Sequence, residues 1–271
     1  MKTPLDPPGR DSETLRLYLS HFGVSPDQPR ELLLQEIASA FSRLPYENLT
    51  KVLKFERESS AERARRWPAE VVSEHISLGT GGTCFSLTAA LLHLLRAAGL
   101  RAEPILADRH YGPDTHCALL VDLDGAPHLL DPGYLIVKPI PLAGSGEKRL
   151  ATEFNEVILT PRSGGDRLDL TTVQDGSLTR RLTYKTSPVD AGRFLKVWDS
   201  SFGWDMMAYP LLTRVAGRRQ VFLNGNRLQV RGRGTIERSE IAEGDLAERI
   251  GREFGIDPSV ASRAFQVLAR R

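Results

Sequence analysis

Gly79-Thr80-Gly81-Gly82-Thr83-Cys84-Phe85-Ser86-Leu87-Thr88 joins a glycine cluster to an apolar run, and its reading decides the fold. Leu87, Ala90, Leu91, Leu94, Leu95 and Ala98 recur at helical spacing, and Gly99 follows as a stop signal. Cys84 therefore falls in the first turn of an amphipathic helix. Unpaired N–H groups and the macrodipole at that end favour a thiolate. The glycines before it let a substrate approach the backbone closely. Taken alone, a free cysteine is more often a buried small hydrophobe than a nucleophile.

Downstream residues reverse that order. Thr115-His116-Cys117-Ala118-Leu119-Leu120-Val121-Asp122-Leu123 reads as a strand, Asp124-Gly125 as a hairpin turn, and 127–131 as the returning strand. A two-residue loop sets Leu123 opposite Ala126, so Asp131 faces Ala118, two residues along from His116. His116 and Asp131 then share a face as diagonal neighbours, with Cβ atoms roughly 7–8 Å apart. A three-residue loop would break that parity. A lone strand His is usually structural, and an Asp before Pro-Gly usually caps a turn. Together with a helix-start cysteine they fit a thiolate nucleophile, an imidazole that moves protons and a carboxylate that orients it. Cys84, His116 and Asp131 are the candidate catalytic triad.

These segments resemble the arylamine N-acetyltransferase family, which carries a Cys-His-Asp triad in an Arg-Gly-Gly-aromatic-Cys-aromatic-Glu context. Thr80 to Ser86 match that context, and 115–123 is similar to the family's His strand. Leu130-Asp131-Pro132-Gly133-Tyr134-Leu135 is similar to its Val-Asp-Val-Gly-Phe-Gly segment, and Pro45-Tyr46-Glu47-Asn48-Leu49 to its Pro-Phe-Glu-Asn-Leu signature. Leu223-Asn224-Gly225-Asn226-Arg227-Leu228 and Glu253-Phe254-Gly255-Ile256 also resemble family segments. The resemblance spans nearly the whole chain. It implies substrate-binding roles for Tyr46, Gly133 and Tyr134, and bracing of the loop by Glu47 and Asn48.

The chain also departs from the pattern. Thr80 stands where the family has Arg and Ser86 where it has Glu, so a charged pair beside the nucleophile is expected to be lost. Thr83 and Thr88 replace an aromatic and an Asn. Leu135 replaces a glycine after the triad Asp and adds a Cβ near the expected donor path. These changes leave nucleophilic catalysis standing and bear on the choice of acyl donor.

Composition narrows the function classes. A formal charge of +2 gives no case for nucleic-acid binding. Arg218-Arg219 and Arg231-Gly232-Arg233 read as solvated turns, with contact between these arginines or Lys138 and an anionic donor as the minority reading. The 2 cysteines give no disulfide framework. Cys117 follows His116 in a strand, so its side chain is expected to point away from the triad face as buried packing. His75, His93, His110 and His128 lack zinc-ligand spacing, and no metal is expected. With no signal segment, no membrane span and a free nucleophilic thiol, the expected location is the cytoplasm.

Along the chain the expected class is α+β. Ser12 caps a helix bearing Leu15, Tyr18, Leu19 and Phe22; a second helix runs from Arg30 until Pro45 ends the pattern. Residues 56–66 read as a solvated helix or loop. From about Leu100 the period is that of strands: 101–106, 115–123, 154–160, 167–173 and 178–184, with turns at Gly164-Gly165 and Asp175-Gly176 and a surface loop at 139–146. Asn224-Gly225 marks a further hairpin, 240–254 a helix, and Pro258 the start of the last helix. Phe85, Phe194 and Trp198 are expected in the core. With the resemblance, this order becomes an N-terminal helical bundle over 1–98 carrying the nucleophile, a central antiparallel β-barrel over 99–187 carrying His116 and Asp131, and a C-terminal α/β lid over 188–271.

The resemblance implies a ping-pong N-acyltransferase with no permanently bound cofactor. Its donor would be acetyl-CoA or another acyl thioester, and its acceptor a small-molecule arylamine, hydrazine or hydroxylamine. Three alternatives use the same residues: a biosynthetic amide synthase fed by an acyl carrier protein, a cysteine hydrolase or transglutaminase-like enzyme, and a binding protein that has lost catalysis.

Overall fold

The computed structural model describes residues 2–270 apart from 10, 59, 143, 145, 153, 175 and 233. Thus Met1 and Arg10 of the lead-in, Asp175 of one expected turn and Arg233 lie outside the described residues. The N-terminal part is helical: α1 (Glu13–Phe22), α2 (Arg30–Phe41), the short strand β1 (Tyr46–Glu47), α3 (Leu49–Glu58), α4 (Ala61–Ala64), α5 (Pro68–Leu78) and α6 (Cys84–Ala97). Ser12 caps α1 by accepting from Leu15 N, as its sequence position suggests. Helices α3 and α5 were not expected. The stretch 56–66 is not wholly solvated either, since Ala64 and Arg66 are buried.

Helix α6 is buried on every side from Cys84 to Leu92, not along one stripe. It touches α1, α2 and α5 as well as the first two strands that follow it. Leu87, Leu91, Leu94 and Leu95 each lose essentially all exposure, worth ~1.5–3 kcal/mol apiece. A helix so enclosed holds its first residue in a fixed place.

After α6 come β2 (Arg101–Arg109), β3 (Gly112–Leu123), β4 (Ala126–Asp131), β5 (Ile136–Pro141), β6 (Lys148–Ala151), β7 (Glu156–Pro161), β8 (Arg167–Gln174) and β9 (Ser177–Lys185). They form one antiparallel, barrel-like sheet in the order β5-β4-β3-β2-β9-β8-β7-β6. The β3–β4 register pairs Leu123 with Ala126 and Leu119 with Leu130, the two-residue-loop register. Asp124 and Gly125 both adopt positive φ, as such a turn requires. The loop expected at 139–146 begins as strand, because Ile140 pairs with Leu129 and is buried in the barrel core.

Helix α7 (Ala191–Ser200) leads to a second sheet of β10 (Leu211–Ala216), β11 (Arg219–Asn224), β12 (Arg227–Gly232) and β13 (Thr235–Glu240), then α8 (Leu246–Phe254) and α9 (Pro258–Leu268). The β11–β12 turn lies one residue later than expected: Asn224 pairs with Arg227, so Gly225 and Asn226 make the loop. The helix expected from 240 starts at Leu246, after strand β13 and a 3₁₀ turn. Strand β1 pairs with β10, joining the Tyr46 segment to this C-terminal sheet. Among the described residues, no helix is long and apolar enough to cross a membrane.

Candidate active site

Cys84 opens α6, and the Thr83 side chain makes no capping hydrogen bond, so the N-terminal N–H groups keep their positive field on the thiol. The loop before it is pinned by Tyr46 and Glu47. Glu47 N donates to Gly82 O at 3.0 Å and Gly82 N to Pro45 O at 3.3 Å. A Cβ on Gly81 would come within 1.7 Å of Pro45 O, so only glycine fits this approach. Asn48 locks the other side by accepting from Leu211 N at 2.9 Å and donating to Tyr209 O at 2.8 Å.

The charge expected to be missing beside the nucleophile is supplied from elsewhere. The Arg66 guanidinium lies 3.8 Å from the buried Glu47 carboxylate and donates to Gly81 O and Thr50 Oγ1. Thr80 therefore leaves no uncompensated Glu47. Ser86 turns its hydroxyl back to Thr83 O at 3.1 Å.

The structure brings the three sequence-predicted candidates together. His116 Nε2 and Asp131 Oδ2 are 2.6 Å apart, and both side chains are fully buried. Asp131 also accepts from Tyr184 Oη at 2.7 Å and from Tyr134 N at 2.8 Å. Burial opposes charge on His116, but the field and hydrogen bond of Asp131 outweigh it and raise the imidazole above its ordinary range. The Cys84 thiol is held well below the ordinary thiol range. A hydrogen bond from Cys117 is the largest cause; burial opposes it, and His116 adds to it.

Cys117 is buried, as its strand position suggests, and that role adds to the sequence expectation. Its side chain does leave the His116 face, but α6 packs on the opposite face, and Cys117 Sγ lies 3.4 Å from Thr88 Oγ1, one turn beyond Cys84. Strand parity separates Cys117 from His116 and not from the helix. Burial pushes the Cys117 thiol up, so it stays protonated as a donor. An ordinary cysteine gains alkylation rate as pH rises toward 9, whereas Cys84 should stay level from pH 7.5 to 9 because its thiolate is already formed. Cys117→Ala should make that profile rise again. Iodoacetamide kinetics across this range check both; a steep wild-type profile would contradict the depressed thiol.

Gly133 sits where Cys84 and His116 meet. A Cβ there would lie 2.7 Å from Cys84 Cβ and 3.0 Å from His116 Cε1. Gly133→Ala should therefore part the thiol from the imidazole and lower acyl transfer by about 100-fold, with circular dichroism unchanged. Wild-type turnover in this variant would show that the contact can be relieved freely. Leu135, two residues on, adopts φ 63, a left-handed conformation unusual for a side chain of its size.

A cavity of about 340 Å³ opens above the triad, between the barrel and the C-terminal sheet. Tyr46, Gly133, Tyr134 and Leu135 line it, with Thr213, Phe222 and Gln229 from the second sheet. Sequence reasoning missed Arg66, Tyr184 and Arg109 here. Arg109 Nη2 donates to His116 Nδ1 at 2.9 Å, placed by a bulge between Ala107 and Arg109 that the sequence does not signal. Phe85, Phe194 and Trp198 are buried together, with Phe85 edge-on to Phe194 at 5.3 Å.

The N-acetyltransferase family model matches residues 32–262. The chain belongs to the arylamine N-acetyltransferase family. It is accordingly an acyltransferase enzyme. Among solved structures it is similar to the arylamine N-acetyltransferase of Mycobacterium abscessus, with TM-score 0.79, 19% identity and coverage of 98% of this chain and 100% of that one. The Mycobacterium smegmatis enzyme gives TM-score 0.76 at 22% identity, covering 94% and 98%. A Bacillus cereus arylamine N-acetyltransferase, described as carrying a unique Cys-His-Glu catalytic triad, gives 0.72 at 14%, covering 91% and 99%. At these identities the likeness is one of fold. No curated protein matches the chain.

Proposed function

We propose that this enzyme moves an acetyl group from acetyl-coenzyme A to an arylamine, hydrazine or hydroxylamine through an acyl-Cys84 intermediate. The observation that carries the reading is the 2.6 Å His116–Asp131 hydrogen bond beside a thiol held toward its thiolate. Membership of the family supports it.

Cys84 attacks the thioester carbonyl, a bond forms from its sulfur to the acyl carbon, and coenzyme A leaves as a thiolate that takes its proton from His116. The amine then attacks the acyl carbon. The new N–C bond forms, the Cys84–carbon bond breaks, and His116 Nδ1 takes the proton that the amine loses. Asp131 remains a carboxylate and keeps the imidazole in the tautomer that presents Nδ1 as base. Tyr46, Gly133 and Tyr134 wall the space where acyl group and acceptor meet, and Leu135 narrows it. Burial of the triad under the cavity keeps bulk water from the acyl-enzyme. The scheme needs no resident cofactor.

Incubation with acetyl-coenzyme A and no amine should leave one acetyl group on Cys84, read by intact and peptide mass. Arylamines or hydrazides should then discharge it and release an amide. Hydrolysis faster than amide formation with every amine would move the assignment to a hydrolase. Labelling by longer acyl thioesters alone would replace the donor.

A further inference from the structure

We propose that Cys117 is a resolving cysteine: once a hydroperoxide has oxidised Cys84, the two close a reversible disulfide that switches the nucleophile off. This switch depends on the pair of thiols and on neither the donor nor the acceptor. The chain has 2 cysteines, one opening α6 and one within β3, and both are free. Packing of α6 against β3 brings them together. Cys117 donates to Cys84, and Thr88, one helical turn past Cys84, holds the Cys117 sulfur with its Oγ1 at 3.4 Å. Hydrogen-bonded sulfurs already face each other, which is the approach that an S–S bond needs.

The surroundings of the two sulfurs fix their order of reaction. Cys84 keeps 5% exposure and lies against Gly133 of the cavity wall, whereas Cys117 has none. A small peroxide entering by the cavity therefore meets Cys84 first. Cys84 is also the one held toward its thiolate, the form that peroxide oxidises, while Cys117 stays protonated. Acyl transfer asks of Cys117 only a hydrogen bond, which a serine hydroxyl would donate as well. What sulfur adds at that position is a covalent bond to Cys84.

In the first step the Cys84 sulfur attacks an oxygen of hydrogen peroxide. An S–O bond forms, the O–O bond breaks, and the departing hydroxide takes a proton from the His116 imidazolium and leaves as water. The sulfur has lost two electrons and the peroxide has gained them. In the second step the Cys117 sulfur attacks the sulfur of the Cys84 sulfenic acid. The S–S bond forms, the S–O bond breaks, and the oxygen leaves as water with the Cys117 proton. Two thiols and one peroxide thus become one disulfide and two waters. Cys84 in that disulfide cannot attack a thioester, and a thiol reductant restores it. Without Cys117 the sulfenic acid waits for a second peroxide and passes to sulfinic acid, which thiols do not reduce.

The test treats wild type, Cys117→Ala and Cys117→Ser with hydrogen peroxide in the absence of thiols, then with dithiothreitol. Peptide mass under non-reducing conditions should find Cys84 joined to Cys117 in the wild type, with both closed to N-ethylmaleimide. Dithiothreitol should then return nearly all acyl transfer. Both variants should instead carry sulfenic acid at Cys84, trapped by dimedone, and go on to sulfinic acid. Measured against its own untreated rate, each variant should recover about 10-fold less activity than wild type, because sulfinic acid resists thiols. Cys117→Ser keeps a donor beside Cys84, so its failure to recover reports the lost sulfur and not a lost hydrogen bond. Sulfinic Cys84 in the wild type beside a Cys117 that still alkylates would overturn the proposal. So would a Cys84–Cys84 link between two chains, or recovery of Cys117→Ser equal to that of wild type. Failure of every thioester to label reduced Cys84 would instead strike the acyltransferase reading and leave the disulfide, which mass alone establishes.

Discussion

Replacing Cys84 by alanine should lower acyl transfer by on the order of 10⁴-fold or more, because the double displacement has no second route to the acyl intermediate. The residue is buried, and alanine removes only a sulfur at the start of a helix held on all sides. Folding should therefore survive, so lost turnover reports chemistry. The comparison that gives this result meaning is Cys117→Ala. Cys117 lies against Cys84 but its thiol is pushed up by burial, so it can donate to the thiolate and cannot replace it. That variant should keep acyl transfer while losing part of the rate at neutral pH. Stopped-time assays of both variants with saturating thioester decide the matter. Loss of equal size in the two would withdraw the assignment of the nucleophile.

Asp131→Asn should reduce kcat by about 10⁴-fold, the scale seen when the orienting carboxylate of a triad becomes an amide. All three hydrogen bonds at Asp131 are ones it accepts: from His116 Nε2 and Tyr184 Oη at one oxygen, and from Tyr134 N at the other. An amide supplies one acceptor and one donor group, so either orientation sets N–H against N–H or O–H. Turned toward His116, it also forces the imidazole to put its proton on Nδ1, where the base must be free. Thermal denaturation and near-UV circular dichroism would establish that the variant is folded. Alkylation of Cys84 should slow with it, since the thiolate loses its imidazolium partner. Full activity in folded Asp131→Asn would remove Asp131 from the mechanism.

Arg66, Tyr184, Cys117 and Arg109 show why part of the site was not legible beforehand. Arg66 lies in a charged stretch with weak periodicity, and nothing local says that its guanidinium goes to Gly81 and Glu47. Tyr184 is the penultimate residue of β9, which pairs with β2 and β8 and reaches Asp131 only through the curl of the sheet. Leu135 was legible as a departure from the family, but its positive φ was not.

What the sequence alone determined is local and periodic. Helical spacing and a glycine cluster place Cys84 at a helix start, and the Asp124-Gly125 turn sets a register that puts His116 and Asp131 on one face. Both inferences hold because backbone periodicity and turn chirality act over a few residues. Tertiary structure decided which charges surround those three side chains. It brought Arg66 to Glu47, Cys117 and Arg109 to the thiol and imidazole, and three arginines to one cavity. Such contacts are selected by desolvation, which requires buried polar groups to find partners wherever the packed chain supplies them. No pattern within a single element encodes that choice.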